Sequence, residues 1–206
     1  MKNKFIILVF TAVSLFTSGA QAAYLTESHL SNDTFATAQF IDSVYFDSNF
    51  DRDINTGTGV NISTSSLHAS LLGSGDDTVD YFSFNAVAGQ AYFDIDYGMD
   101  FGGSFDSWVE LYDSSFNMLT MNDDYNIESG SLHHYDSFID YNLTAADTYY
   151  IAVGRFSGLA AIPFGSNYTL HVTQNSLSAV PVPAAIWLFL SGVLAIFGFA
   201  SGRKSK

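Results

Sequence analysis

The sequence predicts an all-β protein, an antiparallel β-sandwich set between an N-terminal export signal and a C-terminal membrane-spanning tail. Three observations carry this reading. From Tyr81 onward short runs alternate apolar and polar residues with period two, as half-buried strands do. Glycines punctuate the gaps between the runs, at Gly89, Gly98, Gly102, Gly103, Gly130, Gly158 and Gly165. Only the two ends carry continuous apolar stretches flanked by charge.

The N-terminal stretch opens on Met1-Lys2-Asn3-Lys4 and continues as an apolar run from Phe5 to Phe16. Small residues and an Ala20-Gln21-Ala22 cleavage signature follow, so residues 1–23 read as a signal peptide. Within the middle, 24–175, the segment Asp33 to Ala38 reads as a turn and 47–66, rich in Gly, Thr, Ser and Asn, as a long loop or insertion. The strand signals then come in order. Phe82 and Phe84 share a face; Phe93, Ile95 and Tyr97 oppose Tyr92, Asp94 and Asp96; Val109 and Leu111 follow. Ile139, Tyr141 and Leu143 come next, then Tyr149, Ile151 and Val153, and Tyr168, Leu170 and Val172 close the series. Period-two runs joined by glycine turns pair most simply as antiparallel neighbours.

The tail, 176–206, carries Val180-Pro181-Val182-Pro183-Ala184, an apolar run to Ala200, and the basic residues Arg203, Lys204 and Lys206. At ~1.5 Å per residue the run from Ala184 covers roughly 26 Å of a ~30 Å hydrocarbon core, so Val182 and its neighbours complete a span over about 182–200. The basic cluster places the C-terminus in the cytoplasm and the middle outside the inner membrane, and the span by itself also reads as a permanent type I anchor. These parts in this order resemble the PEP-CTERM class of sorting signals, most closely its Val-Pro-Leu-Pro-Ala variant, with Val182 in place of Leu. The resemblance implies recognition by an exosortase, removal of the tail near the motif, and delivery to the cell surface of a Gram-negative bacterium or to its extracellular polymer.

The charge of the middle excludes one class of partner. Of seven Lys and Arg only Arg52 and Arg155 lie there, against all 21 Asp and Glu, a formal charge of −19. Such a surface repels phosphate backbones, which rules out nucleic acid. Many Phe and Tyr supply an aromatic core despite the charge. With no cysteine, disulfides, thiolate metal sites and cysteine nucleophiles are all excluded, and burial and hard cations held by carboxylates remain to stabilise the fold.

Several motifs together resemble the bacterial pre-peptidase C-terminal domain family, a small jelly-roll-like β-sandwich often appended to secreted proteins. They are Asn32-Asp33-Thr34-Phe35-Ala36-Thr37-Ala38, Asp77-Thr78-Val79-Asp80-Tyr81-Phe82-Ser83-Phe84 and the Ala88-Gly89-Gln90 turn. Trp108 to Asp113, Asn122-Asp123-Asp124, Thr148 to Val153 and Gly165 to Val172 complete the set. Asp147 stands where the family usually has Gly, and the 47–66 stretch is longer than usual. Some relatives hold calcium between the leading segment and the Asp-x-x-Asp turn, which implies Asn32, Asp33, Asp77 and Asp80 as Ca²⁺ ligands here. Those relatives also use two Glu before the Asn-Asp pair; this chain has Ser28 and Leu30 there, and only Glu27 nearby.

Other candidates come from the residues themselves. Asp51-Arg52-Asp53-Ile54-Asn55-Thr56-Gly57 has the Asp-x-Asp-x-Asn spacing of a calcium loop, but its Gly is one position late and Ile62 replaces the bidentate Glu, so it reads as a flexible solvated loop. His133 and His134 are adjacent, which on a strand points them to opposite faces, and they read as loop surface. Trp108 and Tyr112, with Tyr92 and Tyr150, form either a stacking platform for sugar rings or a face covered by loops. Neither a Gly-x-Ser-x-Gly elbow nor a His-Glu-x-x-His helix occurs. The sequence therefore reads as a non-enzymatic, exported surface or matrix protein acting as a binding or structural module. The alternative is a carbohydrate- or protein-binding accessory of a separate secreted enzyme, and a secreted hydrolase ranks third. Expected partners are the translocon and signal peptidase, an exosortase, the inner membrane in transit, and extracellular polysaccharide or a surface protein.

Overall fold

The computed structural model describes residues 24–28, 32–97, 105–124 and 133–174. The expected signal peptide, sorting motif, membrane span and terminal basic cluster lie outside the described residues. Among those described, no helix is long and apolar enough to cross a membrane.

Among the described residues ten strands run in order: β1 (Tyr24–Thr26), β2 (Gln39–Ile41), β3 (Leu67–Ser74), β4 (Asp80–Ala86), β5 (Gly89–Tyr97), β6 (Ser107–Tyr112), β7 (Met118–Asn122), β8 (Phe138–Leu143), β9 (Asp147–Arg155) and β10 (Asn167–Gln174). They form two five-stranded sheets, ordered β1-β3-β10-β5-β8 and β2-β4-β9-β6-β7. The period-two residues meet between the sheets: Phe82, Phe84, Phe93, Ile95, Val109, Leu111, Ile151, Val153, Tyr168, Leu170 and Val172 all belong to one buried cluster. At ~25 cal/mol per Å² of apolar surface removed from water, this aromatic and branched core supplies the main driving force for the fold.

The structure departs from the sequence reading in three places. Each sheet is mixed, because β1 runs parallel to β3 and β2 parallel to β4. Both are three-residue strands reached across long connections, so no hairpin forces them antiparallel. Second, the structure adds four strands to the six period-two runs: the short β1, β2 and β7, and β3, whose Leu67, Ala69 and Leu71 alternate with His68, Ser70 and Leu72.

The third departure is the 51–57 stretch, where Asp51, Asp53, Ile54 and Asn55 are buried and only Arg52 is exposed. The 47–66 segment lies over the outer face of β3, β10 and β5. Asp47 and His68 exchange backbone hydrogen bonds of 3.0 and 2.9 Å, and Asn61 Nδ2 donates to the carbonyls of Asp51 (2.7 Å) and Arg52 (2.9 Å). Ile54 is 1 % exposed and lies outside the inter-sheet cluster, so the insertion has a small apolar anchor of its own.

Candidate functional site

Three groups of residues carry chemistry, and the sandwich places each in a different position. The first is the outer face of β4, β9 and β6. Alternation puts Trp108, Glu110 and Tyr112 of β6 on that face beside Tyr150 of β9 and Tyr81 of β4. Glu110 is buried among them and takes both aromatic donors: Trp108 Nε1 donates to Oε1 at 2.8 Å, and the Tyr112 hydroxyl donates to Oε2. Burial and that hydrogen bond push the Tyr112 hydroxyl well above the ordinary tyrosine range, so it stays a donor. The polar edges of both rings are thereby tied inward.

Phe35, on the 3₁₀ turn Phe35–Thr37, packs its ring 4.7 Å from Tyr81, 4.8 Å from Tyr112 and 4.8 Å from Phe116 between centroids. Phe116 in turn lies 5.0 Å from Tyr150, and Trp108 lies 6.3 Å from Phe156. Such pairs contribute ~0.5–1.5 kcal/mol each beyond their area. Phe116 and Phe156 are nonetheless each 48 % exposed. Phe116 has φ +62°, and Ser157 and Leu159 beside Phe156 have φ +101° and +57°, a left-handed backbone that costs non-glycine residues of order 1–3 kcal/mol. Both loops that border the aromatic face thus hold strained backbone. Tyr92 does not join this face. It lies on β5, in the other sheet, with Phe138 at 5.9 Å, because strand membership and not sequence alternation alone decides which side a ring faces.

The second group is at the leading segment. Asn32 Nδ2 donates to Glu27 Oε1 at 2.8 Å, the Ser74 backbone N–H donates to Glu27 Oε2 at 2.7 Å, and Glu27 shares a hydrogen bond with Asp80. The Tyr168 hydroxyl donates to Asp80 Oδ2 at 2.6 Å. Gly73, paired with Tyr168, makes this possible, since a Cβ there would meet the Tyr168 ring at 2.1 Å. Burial first, then the charge of Glu27, pushes the Asp80 carboxyl up to about 9. Asn32 Oδ1 is buried with no hydrogen-bond partner among the described residues. Two carboxyl groups and an unpaired amide oxygen brought together in this way fit a hard cation such as Ca²⁺.

Of the four residues implied by the family resemblance, Asn32 and Asp80 therefore lie together with Glu27. Asp33 is exposed and accepts from the Thr78 hydroxyl at 3.1 Å, which also faces Asp76 Oδ1. Asp77 turns elsewhere: at φ +70° its N–H donates to the Ile162 carbonyl (3.0 Å) and its Oδ1 accepts from Phe164 N–H (3.0 Å). Glu27 was visible in the sequence only as the one acidic residue near the Asn-Asp pair.

No protein-family profile matches the sequence, and no curated protein matches it. Solved structures do. The chain is similar to the pre-peptidase C-terminal domain of collagenase from Bacillus anthracis, at 18% identity and TM-score 0.35, over 51% of this chain and 88% of that one. It is similar to PliG of Aeromonas hydrophila, a periplasmic lysozyme inhibitor of g-type lysozyme, at 16% identity and TM-score 0.39, over 73% and 98%. A Streptococcus pneumoniae fucose binding module is similar at 13% identity and TM-score 0.28, over 66% and 86%. Likenesses at this level leave function to be read from the chain's own residues.

The third group lies beneath the 47–66 insertion; the Asp51-x-Asp53 spacing marks its insertion half in the sequence, but nothing there joins it to its partners Ser70, Asp96 and His171. His171 Nε2 and Asp96 Oδ2 are 2.9 Å apart, His171 Nδ1 and Ser70 Oγ are 2.8 Å apart, and Ser70 donates to Asp51 Oδ2 at 2.8 Å. Although Ser, His and Asp stand in a row, the serine is 1 % exposed and its proton is directed at Asp51, so the arrangement offers no nucleophile to an acyl group. Burial pushes the His171 imidazole down, but the hydrogen bond to Asp96 and the charges of Asp96, Asp51 and Asp53 outweigh it and the net shift is upward. His133 and His134 lie elsewhere, with rings stacked at 4.9 Å between centroids.

Proposed function

We propose that this chain is an exported, non-catalytic binding module of the pre-peptidase C-terminal type, which holds extracellular polysaccharide on the aromatic outer face of β4, β9 and β6. The observation that carries the reading is a row of rings in which Phe116 and Phe156 are each 48 % exposed, while the polar edges of the half-buried Trp108 and Tyr112 beneath them are tied to Glu110. Sugar rings stack on such faces through their C–H surfaces, and aromatic side chains supply apolar contact next to a polar rim. The charge of the middle favours a neutral or amino-bearing polymer over an anionic one. Export by the signal peptide and exosortase-dependent removal of the tail after about Pro183 would place the module at the cell surface. Intact mass of surface-extracted protein tests this, since a species retaining Arg203 to Lys206 in a cell with an exosortase contradicts it.

Affinity electrophoresis through gels carrying the host's extracellular polysaccharide tests the binding face. Phe116→Ala with Phe156→Ala removes neither partner of the Glu110 hydrogen bonds and is expected to weaken retention at least tenfold. The lost ring pairs lower Tm, so retention is compared at a temperature where circular dichroism shows both chains folded. Retention equal to that of the parent chain overturns the proposed face and directs attention to a protein partner.

Glu27, Asn32 and Asp80, with Asp33 and Asp76 nearby, are proposed to hold Ca²⁺, which would offset the repulsion between the buried carboxyl groups. Binding to the folded state alone adds about 2.7 kcal/mol at a hundredfold excess over Kd. Millimolar Ca²⁺ is expected to raise Tm beyond the effect of NaCl at equal ionic strength. Asp80→Asn, which keeps an acceptor for Tyr168, should abolish the difference. An undiminished Ca²⁺ response in Asp80→Asn contradicts the site.

A further inference from the structure

The groups beneath the 47–66 insertion take no part in the proposed binding face or in the calcium cluster, yet their arrangement is specific. Asp53, Asp96 and His171 are 5, 5 and 2 % exposed. Each offers one ligand atom, and these atoms lie within 4.8 Å of one another. Asp53 comes from the insertion, Asp96 from β5 and His171 from β10, so three separate parts of the chain converge.

The hydrogen bonds fix how the imidazole is presented. Ser70 has a single hydroxyl proton, and Asp51 Oδ2 takes it at 2.8 Å, so the Ser70 oxygen accepts from His171 Nδ1–H. Nε2 is then the atom that faces Asp96 Oδ2 at 2.9 Å. A neutral imidazole would set its lone pair against a carboxylate oxygen, so this contact requires a cation, either a proton or a metal ion. A proton satisfies Oδ2 alone. Asp96 Oδ1 is buried without a hydrogen-bond partner among the described residues, and the Asp53 carboxylate, one oxygen of which accepts from Arg52 Nε at 3.1 Å, stands in the same cluster. A single ion answers all three groups at once.

The donor set decides the class of ion. One imidazole nitrogen and two carboxylates suit Zn²⁺ and its neighbours, whereas Ca²⁺ takes oxygen alone and Cu(I) prefers sulfur. Histidine ligands to such ions commonly hold their other ring nitrogen in a hydrogen bond that fixes the tautomer, the part Ser70 and Asp51 play here. We propose that Asp53, Asp96 and His171 bind a divalent transition-metal ion of the Zn²⁺ class, with Ser70 and Asp51 positioning the imidazole. The ion displaces the proton between Nε2 and Asp96 to solvent, and water completes its coordination. Ligands of one ion with bonds of ~2.0–2.2 Å stand about 3–4 Å apart, so binding draws the Asp53 loop inward and ties the insertion to β5 and β10. In a chain without cysteine this is a staple of a different chemistry.

The test uses the full chain without an affinity tag, purified in mild detergent and stripped with EDTA. Titration with Zn²⁺ against a chromophoric chelator should give one tight equivalent that excess Ca²⁺ does not displace, and Co²⁺ should give visible ligand-field bands. Asp53→Asn, on the insertion, and His171→Gln should each weaken binding at least tenfold, and His133→Ala with His134→Ala should leave it unchanged. Zn²⁺ should also slow proteolysis within 47–66 in the parent chain and fail to do so in Asp53→Asn. Absence of saturable binding overturns the proposal, as does full binding by Asp53→Asn or loss of binding in the His133, His134 variant.

Discussion

The outer face of β3, β10 and β5 is polar and covered, whereas the outer face of β4, β9 and β6 is aromatic and partly open. On the first, His68, Ser70, Asp96 and His171 are withdrawn from water by the 47–66 insertion. On the second, a row of rings surrounds one buried carboxylate, and Phe116 and Phe156 remain in contact with solvent. The difference teaches that strand alternation assigns a side chain to a face but does not say whether that face is wet. Long connections decide that, and here the longer one covers the charged side. Burying charge is costly unless each group is paired, so the covered face depends on its hydrogen-bond network, while the open face can lose a ring cheaply.

The largest expected effect breaks the covered face. His171→Leu leaves Asp96 buried without its hydrogen-bonded partner and Ser70 without the ring nitrogen it faces, and should cost about 3–5 kcal/mol in urea unfolding. Ile54→Ala should cost about 2–4 kcal/mol, because Ile54 is fully buried, and should expose 47–66 to protease. A solvated loop would lose nothing measurable. On the aromatic face, Glu110→Gln removes the charge that accepts from Trp108 and Tyr112 and should cost about 1.5–3 kcal/mol. Phe156→Ala, with its ring half in water and a single ring partner in Trp108, is expected to cost about 0.5–1.5 kcal/mol. A reversal of this order, with Phe156→Ala costing more than Ile54→Ala, would mean that the two faces have been assigned the wrong way round.

Six strands were legible in the sequence because their inward residues, such as Phe93 and Ile95 or Leu170 and Val172, repeat at period two and meet in one cluster. β3 was harder to read, since its outward residues His68 and Ser70 sit next to the Gly, Ser and Thr-rich stretch and share its polar character. β1 and β2 are three residues each and offer too short a pattern for any periodicity. The placement of Trp108 and Tyr112 on one face followed from alternation; the exclusion of Tyr92 did not, because it depends on which sheet β5 joins. The buried cluster was illegible for a related reason. Asp51 and Asp53 look solvated until their partners are known, and Ser70 and His171 lie 19 and 101 residues further along the hydrogen-bonded path. Asp94, Asp96 and His171 on outward strand positions were the available signal that a polar layer lay under cover.

Hydrogen exchange of the full chain with and without extracellular polysaccharide tests the division between the two faces most directly. Ligand should slow exchange in peptides covering 107–122 and 147–160, which carry Trp108, Tyr112, Phe116, Tyr150 and Phe156. Peptides covering 47–74 and 167–174 should exchange at their free rates, since that face is already closed. Protection confined to 47–74 and 167–174, with none over 107–122, would contradict the account.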